Sequence, residues 1–173
     1  MSVRAFIAVV LVVLTQTAAQ ANVTKVDLQI AARALSFMER PLSGTVRLGI
    51  VFNPRDTSSV QSADALVSML GSGLKVGNLV FAPVRVALDQ VATAQVDAFF
   101  LVDGLGDRAR PISEATERKK IPCFTIDLEQ VRNGTCALGV QVEPKVQIYV
   151  NRGAAARSDT TFVSLFRMMI IEL

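Results

Sequence analysis

Polar and acidic side chains follow three of the predicted strands, at the points where those strands end. The candidate residues for ligand binding are Asn53, Arg55, Asp56, Asp103, Gly104 and Asp127. In open α/β sheets the ligand lies beyond the carboxyl ends of the strands, so these positions predict a site for a small molecule. Acids that precede a helix also act as N-caps and turn formers, and capping is the commoner use of such residues.

Catalytic and metal-binding arrangements are scarce in this sequence. It contains no histidine, so a Ser-His-Asp or Cys-His catalytic group cannot be assembled, and no G-x-S-x-G turn is present. The usual ligand sets for zinc, copper and haem are also missing. We therefore expect no metal, no cofactor and no enzymatic activity. Acid–base chemistry by Asp103 and Asp127 is the alternative, and it requires one of these carboxyls to be buried with a displaced pKa.

The two cysteines of the chain, Cys123 and Cys136, have two states open to them. In an oxidising compartment they can form a disulfide that closes a short loop, and otherwise they are two buried free thiols. If the segments that carry them run parallel as neighbours, both cysteines lie at the same edge of the sheet and can bond. An antiparallel arrangement would place them at opposite ends, too far apart for a bond between the sulfurs.

Residues 1–21 have the features of a cleaved secretory signal. Arg4 precedes an apolar run over 5–14, and the stretch 19–21, Ala-Gln-Ala, is a small-residue cleavage pattern. The apolar run is shorter than the roughly 20 residues that a membrane-spanning helix needs. We expect export to the periplasm, where residues 22–173 form a single domain. The basic residues are scattered along the chain, which argues against a nucleic-acid partner.

The spacing of apolar residues predicts alternating strands and helices that would position these groups. Steps of three or four residues predict helices, and apolar runs rich in β-branched residues predict buried strands. The predicted helices cover 26–38, 60–70, 88–94, 107–120 and 128–134. The predicted strands cover 45–54, 78–86, 96–103 and 121–127, and a hairpin covers 136–151. The glycine-rich stretch 71–77 follows a helix instead of opening one, so we predict a loop there and no phosphate site.

This alternation of strands and helices predicts a parallel sheet with helices on both faces. The predicted fold class is α/β, with an open, doubly wound, mostly parallel sheet and an antiparallel edge hairpin in a Rossmann-like three-layer sandwich. No repeat or linker divides residues 22–173, so we predict one domain. In such a sheet the carboxyl ends of the strands would bring the candidate ligand-binding residues to one edge.

The last stretch of the chain, 162–173, predicts a helix that is apolar nearly all round. Its main stripe would lie on the sheet and consists of Phe162, Leu165, Phe166, Met169, Ile170 and Leu173. Val163, Met168 and Ile171 lie outside that stripe. Either the N-terminal helix covers these three side chains or a partner does. We predict that they form a contact face for a second copy of the chain or for a membrane signalling protein.

Two parts of the chain resemble the ends of the YfiR-like family of small periplasmic proteins. Residues 25–41 and 46–51 resemble the family's opening helix and strand, and residues 143–169 resemble its closing hairpin and helix. The matching positions are Phe37, Pro41, Val146, Ile148, Asn151, Ala154, Ala155 and Ala156. This resemblance implies a periplasmic regulator without enzymatic activity, in a family where redox state and dimerisation matter. Such a regulator binds the periplasmic part of a membrane signalling protein, for example a cyclic-di-GMP synthase, and restrains it.

The alternation of strands and helices is also similar to one lobe of the periplasmic solute-binding proteins that serve ABC transporters. In such a lobe, residues 46–54 would be the first strand and the turn on the ligand side. Two lobes close around the ligand in those proteins, and residues 22–173 supply one lobe. The alternative functional hypothesis is therefore a single-lobe solute-binding protein.

Overall fold

The computed structural model describes residues 23–173, and the predicted signal segment lies outside these described residues. Within this range the chain forms one sheet of eight strands. The strands are β1 (Gly44–Phe52), β2 (Leu74–Val76), β3 (Leu79–Ala87), β4 (Ala98–Leu101), β5 (Cys123–Thr125), β6 (Leu138–Gln141), β7 (Gln147–Val150) and β8 (Ile171–Glu172). Their order across the sheet is β2-β3-β1-β4-β5-β6-β7-β8.

Helices connect most of these strands. The α-helices are α1 (Lys25–Leu35), α2 (Thr57–Leu70), α3 (Arg110–Lys119), α4 (Leu128–Arg132), α5 (Arg152–Arg157) and α6 (Ser164–Arg167). Two 3-10 turns, Leu88–Gln90 and Gly106–Ala109, follow β3 and β4. Helix α1 begins at a capping box, in which the Thr24 backbone N–H donates to the Asp27 carboxylate at 2.7 Å. In the part of the chain that the structure describes, no helix combines the length and the apolar character needed to cross a bilayer.

The centre of the sheet is parallel, and antiparallel pairs lie toward its edges. Strand β1 pairs in parallel with β3 and β4, and the pairs β4–β5 and β5–β6 are also parallel. Strand β2 is antiparallel to β3, and β6 is antiparallel to β7. The predicted α/β class and the hairpin over 136–151 are therefore confirmed. Because Phe52 lies opposite Ala87 and Val51 lies opposite Leu101, strands β1, β3 and β4 end level with one another.

Apolar clusters lie on both faces of the sheet, which gives the domain three layers. Neighbouring residues of a strand point to opposite faces, so Ile50 packs with α1 and α2 while Val51 packs with α3. Both side chains are fully buried. The burial of both faces explains why residues 45–54 form a nearly continuous apolar run in the sequence.

Cys123 and Cys136 form a disulfide with their Cα atoms 5.0 Å apart. Cys123 opens β5, and Cys136 lies two residues before β6, which runs parallel to β5. Of the two arrangements that the sequence left open, the parallel one is the one that this fold contains. It places both sulfurs at the amino ends of neighbouring strands, within the usual Cα separation for a disulfide.

Three of the predicted local structures differ from the fold, and two of them are short connections. The stretch 71–77, predicted as a loop, contains strand β2, which extends the sheet because Leu74 and Val76 pack against the core beside β3. The predicted helix over 88–94 is a single 3-10 turn, Leu88–Gln90. This connection is short because it runs directly across β1 to β4, with Val91 buried against the sheet.

The predicted helix over 162–173 is wrong. Only α6 is helical in this stretch, and the last residues form β8, which pairs in parallel with β7. Phe162 and Phe166 are the buried anchors, and Phe166 stacks on Phe37 with ring centroids 4.7 Å apart. Strand β7 would otherwise expose a row of unpaired backbone groups at the end of the sheet, and pairing with β8 satisfies part of that row.

Candidate functional site

The fold brings the predicted ligand-binding residues to one edge of the sheet. Asn53 follows β1, Asp103 follows β4, and Asp127 follows β5, each at the carboxyl end of a parallel strand. Helix α2 leaves β1 on one face of the sheet, whereas α3 follows β4 on the other face. Connections that diverge to opposite faces leave a crevice between them, which is where open α/β sheets bind ligands.

Asn53 joins the loops that follow β1 and β4. Its side-chain Nδ2 donates to the carbonyl of Gly104 at 3.1 Å, and its Oδ1 accepts from the backbone N–H of Arg55 at 3.1 Å. Its own backbone N–H donates to the Ser59 hydroxyl at 3.0 Å. These three bonds hold the turn before α2 in one conformation, so the position of the Arg55 backbone is set by Asn53.

Asp56 is the N-cap of α2, and its carboxylate already has hydrogen-bond partners in the first turn of that helix. Its Oδ1 accepts from the backbone N–H groups of Ser58 and Ser59 at 2.9 Å and 3.1 Å and from the Ser58 hydroxyl at 2.6 Å. These bonds, led by the one from the Ser58 side chain, hold the pKa of the Asp56 carboxyl below its usual value. A Cβ added at Gly104 would lie 2.8 Å from the other carboxylate oxygen, and Gly104 has φ +78°. A glycine is therefore needed where the β4 loop passes α2.

Asp103 and Asp127 form an acidic pair beside this turn. The Asp127 carboxylate caps α4 by accepting from the backbone N–H of Glu129 at 2.9 Å. Burial raises the pKa of the half-buried Asp103 carboxyl, and the negative charge of Asp127 raises this pKa further. A pair of acids with one raised pKa is compatible with proton transfer. Asp127 also caps α4, so one of its two carboxylate oxygens already accepts a backbone hydrogen bond.

Replacing Asp103 with asparagine is expected to stabilise the protein at neutral pH and to have little effect at low pH. The pKa of Asp103 is higher in the folded chain than in the unfolded chain, so ionising this carboxyl opposes folding as pH rises through that pKa. Thermal melting of both proteins at pH 4 and pH 7 measures the effect. Asp89→Asn, at an exposed acid, is the control. A lower melting temperature of Asp103→Asn at pH 7 would contradict the expectation.

A crevice of about 350 Å³ opens among the loops that follow β3, β1 and β4. We call it the carboxyl-edge crevice, and its lining residues are Asn53, Pro54, Arg55, Leu88, Asp89, Arg108, Arg110 and Pro111. Asn53 and Arg55 were predicted from the sequence as ligand-binding residues, and the other six were not. A signal for two of them exists in the sequence, because Arg108 and Arg110 stand just after a predicted strand, at the start of a predicted helix.

The remaining predicted residues do not line this crevice. Asp103 borders a second cavity of about 210 Å³ with Val23, Ser62, Ala65, Leu66, Met69, Val102 and Ile126. This second cavity is mostly apolar and lies on the face covered by α2. Asp56 caps α2 and Asp127 caps α4, while Gly104 lies in close contact with the Asp56 carboxylate. Among the side chains that the structure describes, no three from His, Cys, Asp or Glu cluster closely enough to hold a metal ion.

The predicted contact residues Val163, Met168 and Ile171 are all exposed, and Met168 has 77% of its surface in solvent. Helix α1 therefore does not cover them. Leu165, Met169 and Leu173 were predicted to lie on the sheet, and these three are exposed as well. We call the six residues together the C-terminal apolar surface. Only three of these six residues were predicted to be exposed. The other three were expected on the sheet because the prediction placed all of 162–173 in one continuous helix.

Comparison with known proteins gives relatives by structure and none by sequence. No family model matches the chain, and no curated protein matches it. A Streptococcus pneumoniae ABC domain in complex with L-Trp has a TM-score of 0.59 and 11% identity, with 84% of this chain and 60% of that chain covered. A conserved domain protein from Vibrio cholerae has a TM-score of 0.56 and 13% identity, with 84% and 59% covered.

A ligand-free, open substrate-binding protein with adhesive properties from Clostridium difficile has a TM-score of 0.52 and 13% identity. The match covers 85% of this chain and 58% of that protein. This chain thus spans about three fifths of the length of each of the three structures. At these identities the likeness shows the fold alone, which is a Rossmann-like α/β domain.

Proposed function

We propose that this protein binds a small solute in the carboxyl-edge crevice, in the manner of one lobe of a solute-binding protein. The observation that carries this proposal is the crevice itself, because loops from three adjacent strands line it at the point where the chain leaves the sheet toward opposite faces. Its volume of about 350 Å³ suits a small molecule. No enzymatic step is part of the proposal.

Two of the structural relatives support this reading. One is a domain in complex with L-Trp, and another is a substrate-binding protein in a ligand-free, open form. A lobe of this kind supplies one wall of a binding site, and a second wall increases affinity by removing more of the ligand from water. We therefore expect weaker binding by residues 22–173 alone than is usual for a two-lobed protein.

We place this activity in the periplasm. The signal-like features of residues 1–21 support export, and the disulfide between Cys123 and Cys136 supports an oxidising compartment. Solute-binding proteins in this compartment deliver their solutes to membrane transporters. A transporter is therefore the partner that the solute-binding proposal implies.

A thermal-shift screen of metabolites tests the solute-binding proposal. A solute at a hundred times its Kd adds about 2.7 kcal/mol, which corresponds to a rise in melting temperature of roughly 5–10 °C for a domain of this size. We expect Arg55→Ala to abolish the rise, and Arg33→Ala, an exposed arginine on α1, to leave it unchanged. A screen without any stabilising solute would refute the proposal. So would a rise that persists in Arg55→Ala.

A second candidate function is regulation by protein contact, which is the activity implied by the YfiR-like resemblance. The observation that favours it is the exposure of all six residues of the C-terminal apolar surface, because exposed apolar area concentrated in one segment favours contact with a partner. None of the three structural relatives is described as a YfiR-like regulator. We propose a second copy of the chain as the occupant of this surface, with a membrane signalling protein as the competing occupant.

Replacing Leu165 and Met168 with aspartate is expected to abolish self-association without unfolding the chain. Both side chains are mostly exposed, at 67% and 77%, so two charges there cost little folding free energy. Light scattering gives the mass in solution, and circular dichroism reports folding. Val146→Asp, at an exposed valine outside the surface, is the matched control. A wild-type chain that is monomeric at high concentration would exclude the second copy as the occupant.

A further inference from the structure

We infer that the carboxyl-edge crevice selects small organic anions, which carry a carboxylate or phosphoryl group. This inference rests on the proposed solute binding and assigns the chemical class of the solute. Among the side chains that the structure describes, the lining contributes three guanidinium groups, from Arg55, Arg108 and Arg110, and one carboxylate, from Asp89. Such a wall carries a net positive charge in a site that is shaped to hold a molecule of limited size.

Guanidinium groups favour particular anions. The planar guanidinium donates two parallel hydrogen bonds to a carboxylate or a phosphate, and it keeps its charge at any physiological pH. Arginines on two loops that converge on one crevice can therefore engage different oxygens of one anion. Arg55 belongs to the loop after β1, while Arg108 and Arg110 precede or open α3.

The protein leaves these guanidinium groups largely available. Arg110 pairs with Glu114 at 2.9 Å, but the side chains are 86% and 58% exposed, and an exposed pair of this kind has little net strength. Neither Arg55 nor Arg108 forms an ion pair with a carboxylate among the side chains that the structure describes. The nearby Asp56 carboxylate is occupied by the first turn of α2.

Local geometry also prepares Arg55 for binding. Pro54 restricts the backbone before it, and Asn53 accepts a hydrogen bond from its N–H at 3.1 Å. A side chain that starts from a fixed backbone loses less freedom when it binds a ligand.

Apolar groups form the rest of the wall, and they are the reason for assigning an organic anion. Pro54, Leu88 and Pro111 border the crevice beside the arginines, and Leu88 is nearly fully buried. They can contact the carbon skeleton of a solute while the guanidinium groups bind its charged end. The cavity beside Asp103 has the opposite character, since an acid is its charged group and the remaining lining is mostly apolar.

Titration calorimetry with four probes tests the inference. The probes are succinate, glycerol 3-phosphate, inorganic phosphate and the uncharged solute glycerol. We expect the two organic anions to bind more tightly than inorganic phosphate, and glycerol not to bind. Arg55→Gln and Arg108→Gln should each weaken binding of the organic anions by roughly tenfold or more, because each removes a hydrogen bond to a charged group. Arg33→Gln changes the net charge equally and should have no effect.

The outcomes separate this inference from the proposed function. If an uncharged solute from the metabolite screen binds and Arg55→Ala abolishes that binding, solute binding in the crevice stands and anion selectivity is wrong. If Arg33→Gln weakens anion binding as much as Arg55→Gln and Arg108→Gln do, the effect is general electrostatic attraction and the crevice assignment fails. If inorganic phosphate binds as tightly as glycerol 3-phosphate, the apolar wall contributes nothing and the organic class is wrong. If neither an anionic nor an uncharged solute binds, both proposals are refuted.

Discussion

Replacing Phe124 with alanine is expected to lower the free energy of unfolding by about 3–5 kcal/mol. Phe124 lies on β5 near the middle of the sheet and is 1% exposed. Its ring contacts those of Phe81 and Phe100, with centroids 5.8 Å and 5.3 Å away. The truncation removes the burial of a large side chain and leaves a cavity among rigid strands that cannot close around it. Urea unfolding followed by circular dichroism measures the change.

Phe37→Ala is the matched control for this experiment. Phe37 also stacks on another ring, that of Phe166, but 40% of its surface is exposed, so water can fill the space that the ring leaves. We expect a cost less than half that of Phe124→Ala. Equal costs for the two variants would contradict the central position of β5 in the sheet.

Removing the disulfide is expected to cost about 3 kcal/mol of stability, because the bond restricts a loop with a sequence separation of 13 in the unfolded chain. Both cysteines are buried between neighbouring strands, so the double variant Cys123→Ala, Cys136→Ala retains a compact core at the cost of two small voids. A loss of this size should lower the melting temperature by roughly 6–12 °C.

Reductant distinguishes the covalent bond from the packing of the two side chains. We expect dithiothreitol to lower the melting temperature of the wild type and to leave that of the double alanine variant unchanged. A thiol count on unfolded protein is expected to give no free thiols before reduction and two after it. Two free thiols in protein purified from the periplasm would exclude the bond.

Much of the fold was predictable because it depends on local patterns. The run 45–54 indicates a buried strand since both faces of β1 are covered, and the alternating residues of 136–151 indicate the hairpin of β6 and β7. Capping side chains marked the start of α2 at Asp56. In each case a few adjacent residues carry the signal, and the tertiary structure agrees with it.

The C-terminal stretch was predicted incorrectly because its structure depends on a distant neighbour. Helical spacing exists over 162–173, but Phe162 and Phe166 alone are seated in the core, and β7 offers an open edge to the residues that follow. The spacing of apolar residues along the sequence cannot show that β7 has an open edge. The same limit applies to β2, since three residues between glycines become a strand only when β3 lies beside them.

The candidate site also contains some residues that local pattern could predict and others that depend on distant neighbours. Asn53 and Arg55 follow a strand whose end can be read from the sequence, whereas Arg108, Arg110 and Leu88 reach the crevice because β3, β1 and β4 are neighbours. Among the predicted acids, Asp56 and Asp127 became helix caps, and Asp103 lines a different cavity. The residue types were available to the prediction, but the partners of each side chain were not.

Composition and local pattern were sufficient to assign the α/β class and to predict that Asn53, Asp103 and Asp127 follow strands at one edge of the sheet. Long-range strand pairing settled which side chains line the crevice, that the cysteines are close enough to bond, and that Ile171–Glu172 form a strand at the edge of the sheet. The physical reason is that backbone preference and burial pattern act over a few residues. Charge, hydrogen bonding and exposure depend on neighbours that are brought together from distant parts of the chain.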